Sequence, residues 1–302
     1  METIQGILVR SQSGFYEIDT NQGPYTARLR GKHKRGRKTG DLLAVGDIVH
    51  ISLQDDGSAM IEEIEERKNK LSRLAPTARG EYEQIIIANP DQAVLTFACT
   101  QPDPRMRMLD RFLIIAEEQK IPILIVANKT DLVGMSKAKK LFGHYRDLGY
   151  ELVYTSVNKN RGIRTLHDKL KGKISVFAGP SGVGKSSLLN AIQPKLGLQV
   201  NTVSKSNRKG KHTTVVREMF PLKDGGYVAD TPGLKALALW DIEPEELDAY
   251  FPEIRPLVPD CQFSSCTHIQ EPGCAVLEAL EKGSIHPERY ESYVRLRYGD
   301  DE

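Results

Sequence analysis

The chain has 302 residues, a net charge of +2 and a pI near 8.2, long enough for two or three domains but too evenly charged overall to name a partner. Its most apolar runs, such as 121–127, are far too short to span a bilayer, and residues 1–5 lack the basic start and long apolar core of an export signal. Three of the four cysteines fall between 261 and 274, which points to a bound metal rather than disulfides and to a soluble, cytoplasmic protein.

The first 64 residues read as an all-β module. Short runs with partial alternation at 4–9, 15–18, 25–29, 48–52 and 60–64 are separated by turns such as Ser13-Gly14, Gly23-Pro24 and Asp56-Gly57. About five short strands in this length fit a small barrel, with an OB-fold favoured. Between two of them runs a basic stretch, residues 28–38 (RLRGKHKRGRK), with seven Lys or Arg and no acid. A basic run is usually a solvated loop, but on such a barrel it points to nucleic acid. His33 is the only ring in the run, so phosphate contact is favoured over base stacking. The expected ligand is structured RNA, bound in a salt-sensitive way. Residues 65–80, with Arg67, Lys68, Lys70, Arg73 and Arg79, read as a bridge that ends the barrel.

From Gln92 the pattern changes to alternating strands and helices. Strands are expected at 92–99, 121–127, 150–155, 174–178, 215–220 and 226–229, and helices at 105–119, 136–148, 163–170 and 185–192. Continuous apolar strands flanked by helices indicate a largely parallel, doubly wound sheet covered on both faces. After Leu234 the strands stop, and 235–302 read as short helices broken by Pro at 244, 252, 256, 259, 272 and 287. The expected class is α/β, with domains at 1–68, 69–234 and 235–302.

The motifs sit at strand ends. Gly179-Pro180-Ser181-Gly182-Val183-Gly184-Lys185-Ser186, with Ser187 next, lies between a strand and a helix, the setting a phosphate loop needs. Its glycines let successive backbone N–H groups face the phosphates, and the helix N-terminus adds partial positive charge. Lys185 is expected to reach the β- and γ-phosphates, and the Ser186 hydroxyl to hold Mg²⁺. Asp230-Thr231-Pro232-Gly233 ends another strand, where Asp230 orients Mg²⁺ through water and the Gly233 N–H bonds the γ-phosphate.

Asn128-Lys129-Thr130-Asp131 ends a further apolar strand. Guanine presents two donors on one edge, N1–H and the 2-amino group, and the Asp131 carboxylate accepts both. Adenine has no such pair, and sites of this kind reject the wrong ligand by ~10⁴-fold. Asn128 would brace the loops, the Lys129 stem would cover the base, and Thr155-Ser156-Val157 would give a backbone N–H to the guanine O6. By itself the tetrapeptide fits an exposed turn; beside a phosphate loop it selects GTP over ATP.

The order of these pieces is unusual: guanine reader first, phosphate loop second, γ-phosphate sensor last. That order implies circular permutation. The polar segment 201–214 ends in Gly210-Lys211-His212-Thr213-Thr214, and Thr214, in preference to Thr213, is expected to complete the Mg²⁺ shell. A water-orienting Gln commonly follows D-x-x-G, but Leu234 stands there. His212 is the candidate replacement, against the plain alternative of a surface histidine.

In the tail, Cys261-x₄-Cys266-x-His268-x₅-Cys274 offers three thiolates and one imidazole, a recognised set for structural zinc. The alternative is buried, unligated cysteines beside a stray histidine. A closed site would fold a Pro-broken segment that has little core of its own.

A barrel, then NKTD, TSV, GPSGVGKS, GKHTT and DTPG, then C-x₄-C-x-H-x₅-C: the chain resembles the ribosome small-subunit-dependent GTPase family, RsgA, also called YjeQ or YloQ. The resemblance spans nearly the whole chain. It implies an N-terminal OB-fold, a circularly permuted P-loop GTPase domain and a mainly helical, zinc-binding C-terminal domain. It also implies one structural Zn²⁺, Mg²⁺ with GTP, and hydrolysis of GTP to GDP stimulated by the small (30S) subunit during its late maturation. The expected partners are that subunit, its rRNA and GTP or GDP, with no membrane and a monomeric chain. In the family the histidine matching His212 is the one thought to assist catalysis, and the apolar residue after D-x-x-G, here Leu234, is normal. The switch departs in reading His212-Thr213-Thr214-Val215 where a third threonine is frequent.

Permutation puts the tail directly after Gly233, so loss of the γ-phosphate is expected to free that segment and shift the zinc domain. Two rivals stand beside this reading: an ATP-dependent kinase or ATPase on the same phosphate loop, and a non-hydrolytic RNA-binding module with nucleotide as a structural ligand.

Overall fold

The computed structural model describes residues 3–30, 41–55, 57–77, 80–196, 218–230 and 242–299. His212, Thr213, Thr214, Gly233, Leu234 and residues 31–38 of the basic run lie outside the described residues.

Five strands close the expected barrel: β1 (Ile4–Gln12), β2 (Phe15–Thr20), β3 (Gly23–Leu29), β4 (Ile48–Leu53) and β5 (Ala59–Ile64), in the order β1-β2-β3-β5-β4. Alternation sends Leu8, Ile18, Ala27, Val49, Ile51 and Ile61 inward, where they are fully buried, and leaves polar residues outside. The barrel is OB-like.

Most of the expected bridge 65–80 is strand. Strands β6 (Lys70–Thr77) and β7 (Gly80–Ala88) pair antiparallel as a two-stranded ribbon. Its many Lys and Arg hid an apolar set, Leu71, Ile85 and Ile87, that is buried. Just before it, Arg67 donates to both oxygens of the fully buried Asp47 carboxylate at 2.6 and 2.8 Å, pinning ribbon to barrel.

The central sheet is formed by β8 (Gln92–Ala98), β9 (Ile123–Asn128), β10 (Glu151–Tyr154), β11 (Ile174–Ala178), β12 (Phe220–Pro221) and β13 (Tyr227–Asp230). Its order is β10-β9-β8-β11-β13-β12, parallel except for β12. Helices α1 (Met106–Glu118) and α2 (Met135–Asp147) pack with Leu95, Phe97 and Ile125, while α3 (Ile163–Leu170) and α4 (Lys185–Ile192) pack with Val94, Leu124 and Phe177. Chain direction across the sheet reverses between β8 and β11, and at such a switch point the strand ends open a crevice for ligands. The strand expected at 215–220 is only the short β12 in the described part. Beside it, the Met219 N–H donates to the Val9 carbonyl at 2.7 Å and the Tyr227 hydroxyl to Asp19 at 2.7 Å, so the barrel sits on this sheet edge.

The tail has two short 3₁₀ turns, Pro244–Tyr250 and Arg255–Asp260, then α5 (Ala275–Glu281) and α6 (Pro287–Arg297). Prolines keep these elements short. Leu247, Phe251, Ile254 and Tyr293 form a core that takes in Ile114 of α1. At this seam Arg289, about 1% exposed, reaches Asp110 of α1 at 2.7 Å and Glu253 at 2.7 Å.

Candidate functional site

The loops after β9, β10 and β11 meet at the switch point. From the end of β9, the Asn128 amide donates to the Val183 carbonyl at 2.8 Å, and the Lys129 ammonium donates to the Gly182 carbonyl at 2.7 Å. Thr155, beyond β10, donates its hydroxyl to the Asn128 Oδ1 at 2.9 Å. Residues more than fifty positions apart thus form one wall, and the guanine reader and phosphate loop share it despite their order in the chain.

Local backbone makes this fit possible. Gly184, the residue before α4, has φ +99°, and a Cβ there would sit 2.6 Å from the Asn128 amide nitrogen. Gly179 has φ +140°, and a Cβ there would lie 2.0 Å from the Thr96 carbonyl. Both conformations and both approaches need glycine. Val183 is buried as the loop's anchor, Ser181 is exposed, and Ser186 and Ser187 are half-buried in the first turn of α4. The Lys185 ammonium folds over the loop and donates to the Gly179 and Pro180 carbonyls at 2.9 and 3.0 Å. Asp230 ends β13 opposite Phe177 of β11, so its backbone stands next to the strand that feeds the phosphate loop.

The Asp131 carboxylate is held in place rather than free to swing. Ser156 donates its hydroxyl to Oδ1 at 2.6 Å and Asn158 its amide to Oδ2 at 3.3 Å. The Ser156 hydrogen bond holds the carboxyl below its ordinary range, so it stays an acceptor at neutral pH. Of the stretch Thr155-Ser156-Val157, the Ser156 N–H donates to the Arg161 carbonyl at 3.0 Å, while the Ser156 hydroxyl faces Asp131. Burial lowers the Lys129 ammonium from its ordinary range, and Asp131 counters that shift. Lys129 also donates to the Gln101 carbonyl. Neither Asn158 nor Gln101 was predicted, and neither stands inside a motif that would have flagged it.

The tail cluster is equally compact. The ligand atoms of Cys261, Cys266, His268 and Cys274 all lie within 4.8 Å of one another. Tetrahedral zinc with ordinary bond lengths would set its ligand atoms about 3.5–3.8 Å apart. Here the His268 Nδ1 lies 3.5 Å from the sulfurs of both Cys261 and Cys274, which are 4.0 Å from each other. The residues fit the ion. His268 is fully buried, and its Nε2 lies 3.3 Å from the Asp248 carboxylate, the outer partner that orients a ligating imidazole. Asp248 lies outside the Cys/His spacing and so was invisible to it. Burial pushes the Cys266 thiol up to about 12, so a divalent cation must displace its proton. Among the described residues no helix is long and apolar enough to cross a membrane.

Comparison with known proteins places the chain among its relatives. The family model for the RsgA GTPase matches residues 64–240 and that for the RsgA N-terminal domain matches residues 5–61. The "Small ribosomal subunit biogenesis GTPase RsgA" of Gemmatimonas aurantiaca is 45% identical, covering 97% of this chain and 96% of its own. The protein of that name from Caldanaerobacter subterraneus subsp. tengcongensis is 42% identical, covering 98% and 95%. Among solved structures, YjeQ from Thermotoga maritima superposes with a TM-score of 0.81 at 37% identity, covering 99% of each chain. YloQ, described as a circularly permuted GTPase, superposes with a TM-score of 0.76 at 33% identity, covering 99% of this chain and 95% of its own. With both family models matched and relatives of that name aligned over nearly the whole chain, the chain belongs to the RsgA GTPase family and is a GTP-hydrolysing enzyme.

Proposed function

We propose that this GTPase acts in biogenesis of the small ribosomal subunit, binding the 30S particle through its rRNA and using GTP hydrolysis to time its release in late maturation. The observation that carries this reading is the shared wall of Asn128, Lys129, Gly182 and Val183, which lets one nucleotide be held at base and phosphates together. The names of the relatives support the setting.

Asp131 reads the guanine edge with Ser156 and Asn158 behind it. The amides of Gly179–Ser187 and the Lys185 ammonium hold the phosphates. Ser186, Asp230 and Thr214 would hold Mg²⁺, which neutralises charge on the β- and γ-phosphate oxygens when bound. Gly233 would sense the γ-phosphate and His212 would orient the attacking water. The Cys₃His cluster takes one structural zinc. The units are taken as 1–68, 69–234 and 235–302, in a monomeric cytoplasmic chain.

Glu218, the first described residue after 197–217, pairs its backbone with that of Arg10 of the barrel in an isolated β-bridge. The barrel is thus tied to the edge of the GTPase sheet at Glu218 and Met219, and this contact supports activation by the subunit. Turnover of GTP is expected to rise by at least tenfold when purified small subunits are added, with large subunits having no such effect. Equal turnover in the three conditions would leave a GTPase without the proposed activator.

A further inference from the structure

The basic run rests on charge, with His33 as its only ring. The barrel supplies one from a different strand. Register places Gln12 of β1 opposite Phe15 of β2, Phe15 opposite Arg28 of β3, and Arg28 beside Met60 of β5. These four side chains therefore form one row across four neighbouring strands, on the outer face. Within it the Arg28 guanidinium lies over the Phe15 ring, 4.7 Å from the centroid. Phe15 nevertheless keeps 44% of its surface exposed.

The neighbouring charges single out Arg28. Arg10 pairs with Glu17 at 3.5 Å and Arg30 with Glu62 at 2.6 Å, so both flanking acids are neutralised. Among the described residues Arg28 has no carboxylate partner. A water-exposed phenyl ring costs free energy, and a ring and a guanidinium side by side offer flat groups on which another flat group can stack. Nucleotide bases are flat, and stacking on aromatic rings and guanidinium planes is how single strands are held without sequence preference. The strands that carry the pair, β2 and β3, belong to the face on which OB-folds take oligonucleotides.

We propose that Phe15 and Arg28 form a stacking platform for an unpaired base of single-stranded RNA on the outer face of the barrel. This rests on the RNA contact of the proposed function, and adds that the barrel selects unpaired over duplex segments. Arg28 supplies one phosphate-directed charge besides its plane, and Phe15 supplies only the plane.

The test is fluorescence anisotropy of a labelled ten-nucleotide single-stranded RNA, and of a duplex of the same length, with the full-length protein. Phe15→Ala is expected to weaken the single strand about tenfold, without changing the salt slope or duplex affinity. Arg28→Ala is expected to weaken the single strand and also to lower the salt slope by somewhat less than one. Phe15→Trp keeps the plane, so it is expected to bind like the wild type and to change emission on titration. Wild-type affinity in Phe15→Ala, or equal losses for single strand and duplex, would overturn the platform. In either case subunit-stimulated turnover that stays intact leaves the proposed function standing, so the two can fail separately.

Discussion

Replacing Asp131 by asparagine is expected to weaken GTP binding by up to about 10⁴-fold and to shift preference to xanthosine triphosphate. The carboxylate offers two acceptors to guanine's two donors. An amide turns one acceptor into a donor, which faces the 2-amino group of guanine but matches the carbonyl of xanthine. The loss is large because the group is fixed: Ser156 at 2.6 Å and Asn158 at 3.3 Å leave it little freedom to turn away. Ser156→Ala removes a charge-assisted hydrogen bond behind the reading edge and is expected to weaken GTP about tenfold, without changing preference. Because the Ser156 hydroxyl holds the carboxyl below its ordinary range, guanine preference is expected to persist as pH falls to about 4. Competition titrations with GTP, XTP and ATP on the wild type and both variants measure all of this. An unchanged preference in Asp131→Asn would favour an ATP-using enzyme on the same phosphate loop.

Arg289→Ala is expected to destabilise the joint between tail and GTPase domain by about 3–5 kcal/mol. Arg289 is about 1% exposed and is shared between Asp110 of α1 and Glu253, each at 2.7 Å. Burial alone would lower its proton affinity, but the two carboxylates reverse that and hold it charged. Truncation leaves both acids buried without a counter-charge, and Ser292 and Tyr145, which also donate to Asp110, cannot neutralise it. By contrast Lys282→Ala breaks only an exposed pair with Glu278 and is expected to change stability by less than about 0.5 kcal/mol. Hydrogen exchange across α1 and α6 separates the two variants.

This joint also constrains how the enzyme could move. Residues 231–241, through which a lost γ-phosphate was expected to release the tail, lie outside the described residues, but the tail is fastened to α1 independently of them. A shift of the zinc-binding unit must carry α1 with it or break the Arg289 network. The seam has a pH dependence of its own. Burial, together with the His286 ring stacked 4.3 Å away, drives the His144 imidazole down to about 4, with Asp110, Arg289 and Asp147 also acting on it. Unfolded, the same ring takes up a proton near pH 6.5. Its contribution is therefore fully present above about pH 6.5 and is lost as pH falls toward 4.

Much of the site was legible because its chemistry is local. Ile174–Ala178, Ile163–Leu170 and Lys185–Ile192 form the elements their periodicity implied, and the phosphate loop and Cys/His set occupy short stretches of fixed spacing. What stayed hidden depends on partners far away in the chain. Asn158 and Asp248 act on residues of other elements, the β6–β7 ribbon looked like a charged linker, and Arg289 looked like any surface arginine of a polar helix until Asp110 and Glu253 closed on it. Phe15 was hidden in the same way: β2 looks like an ordinary barrel strand, and only register brings it under Arg28.

The central claim is a single cleft, assembled from reordered segments, that grips one guanine nucleotide at both ends. Calorimetric titration of GDP, GTP and ATP into the wild-type protein, with Lys185→Ala and Asp131→Asn alongside, tests it most directly. One guanine nucleotide per chain, ATP at least a thousandfold weaker, and loss of GTP binding in both variants is the predicted result. Comparable affinity for ATP, or GTP binding that survives either substitution unchanged, would contradict it.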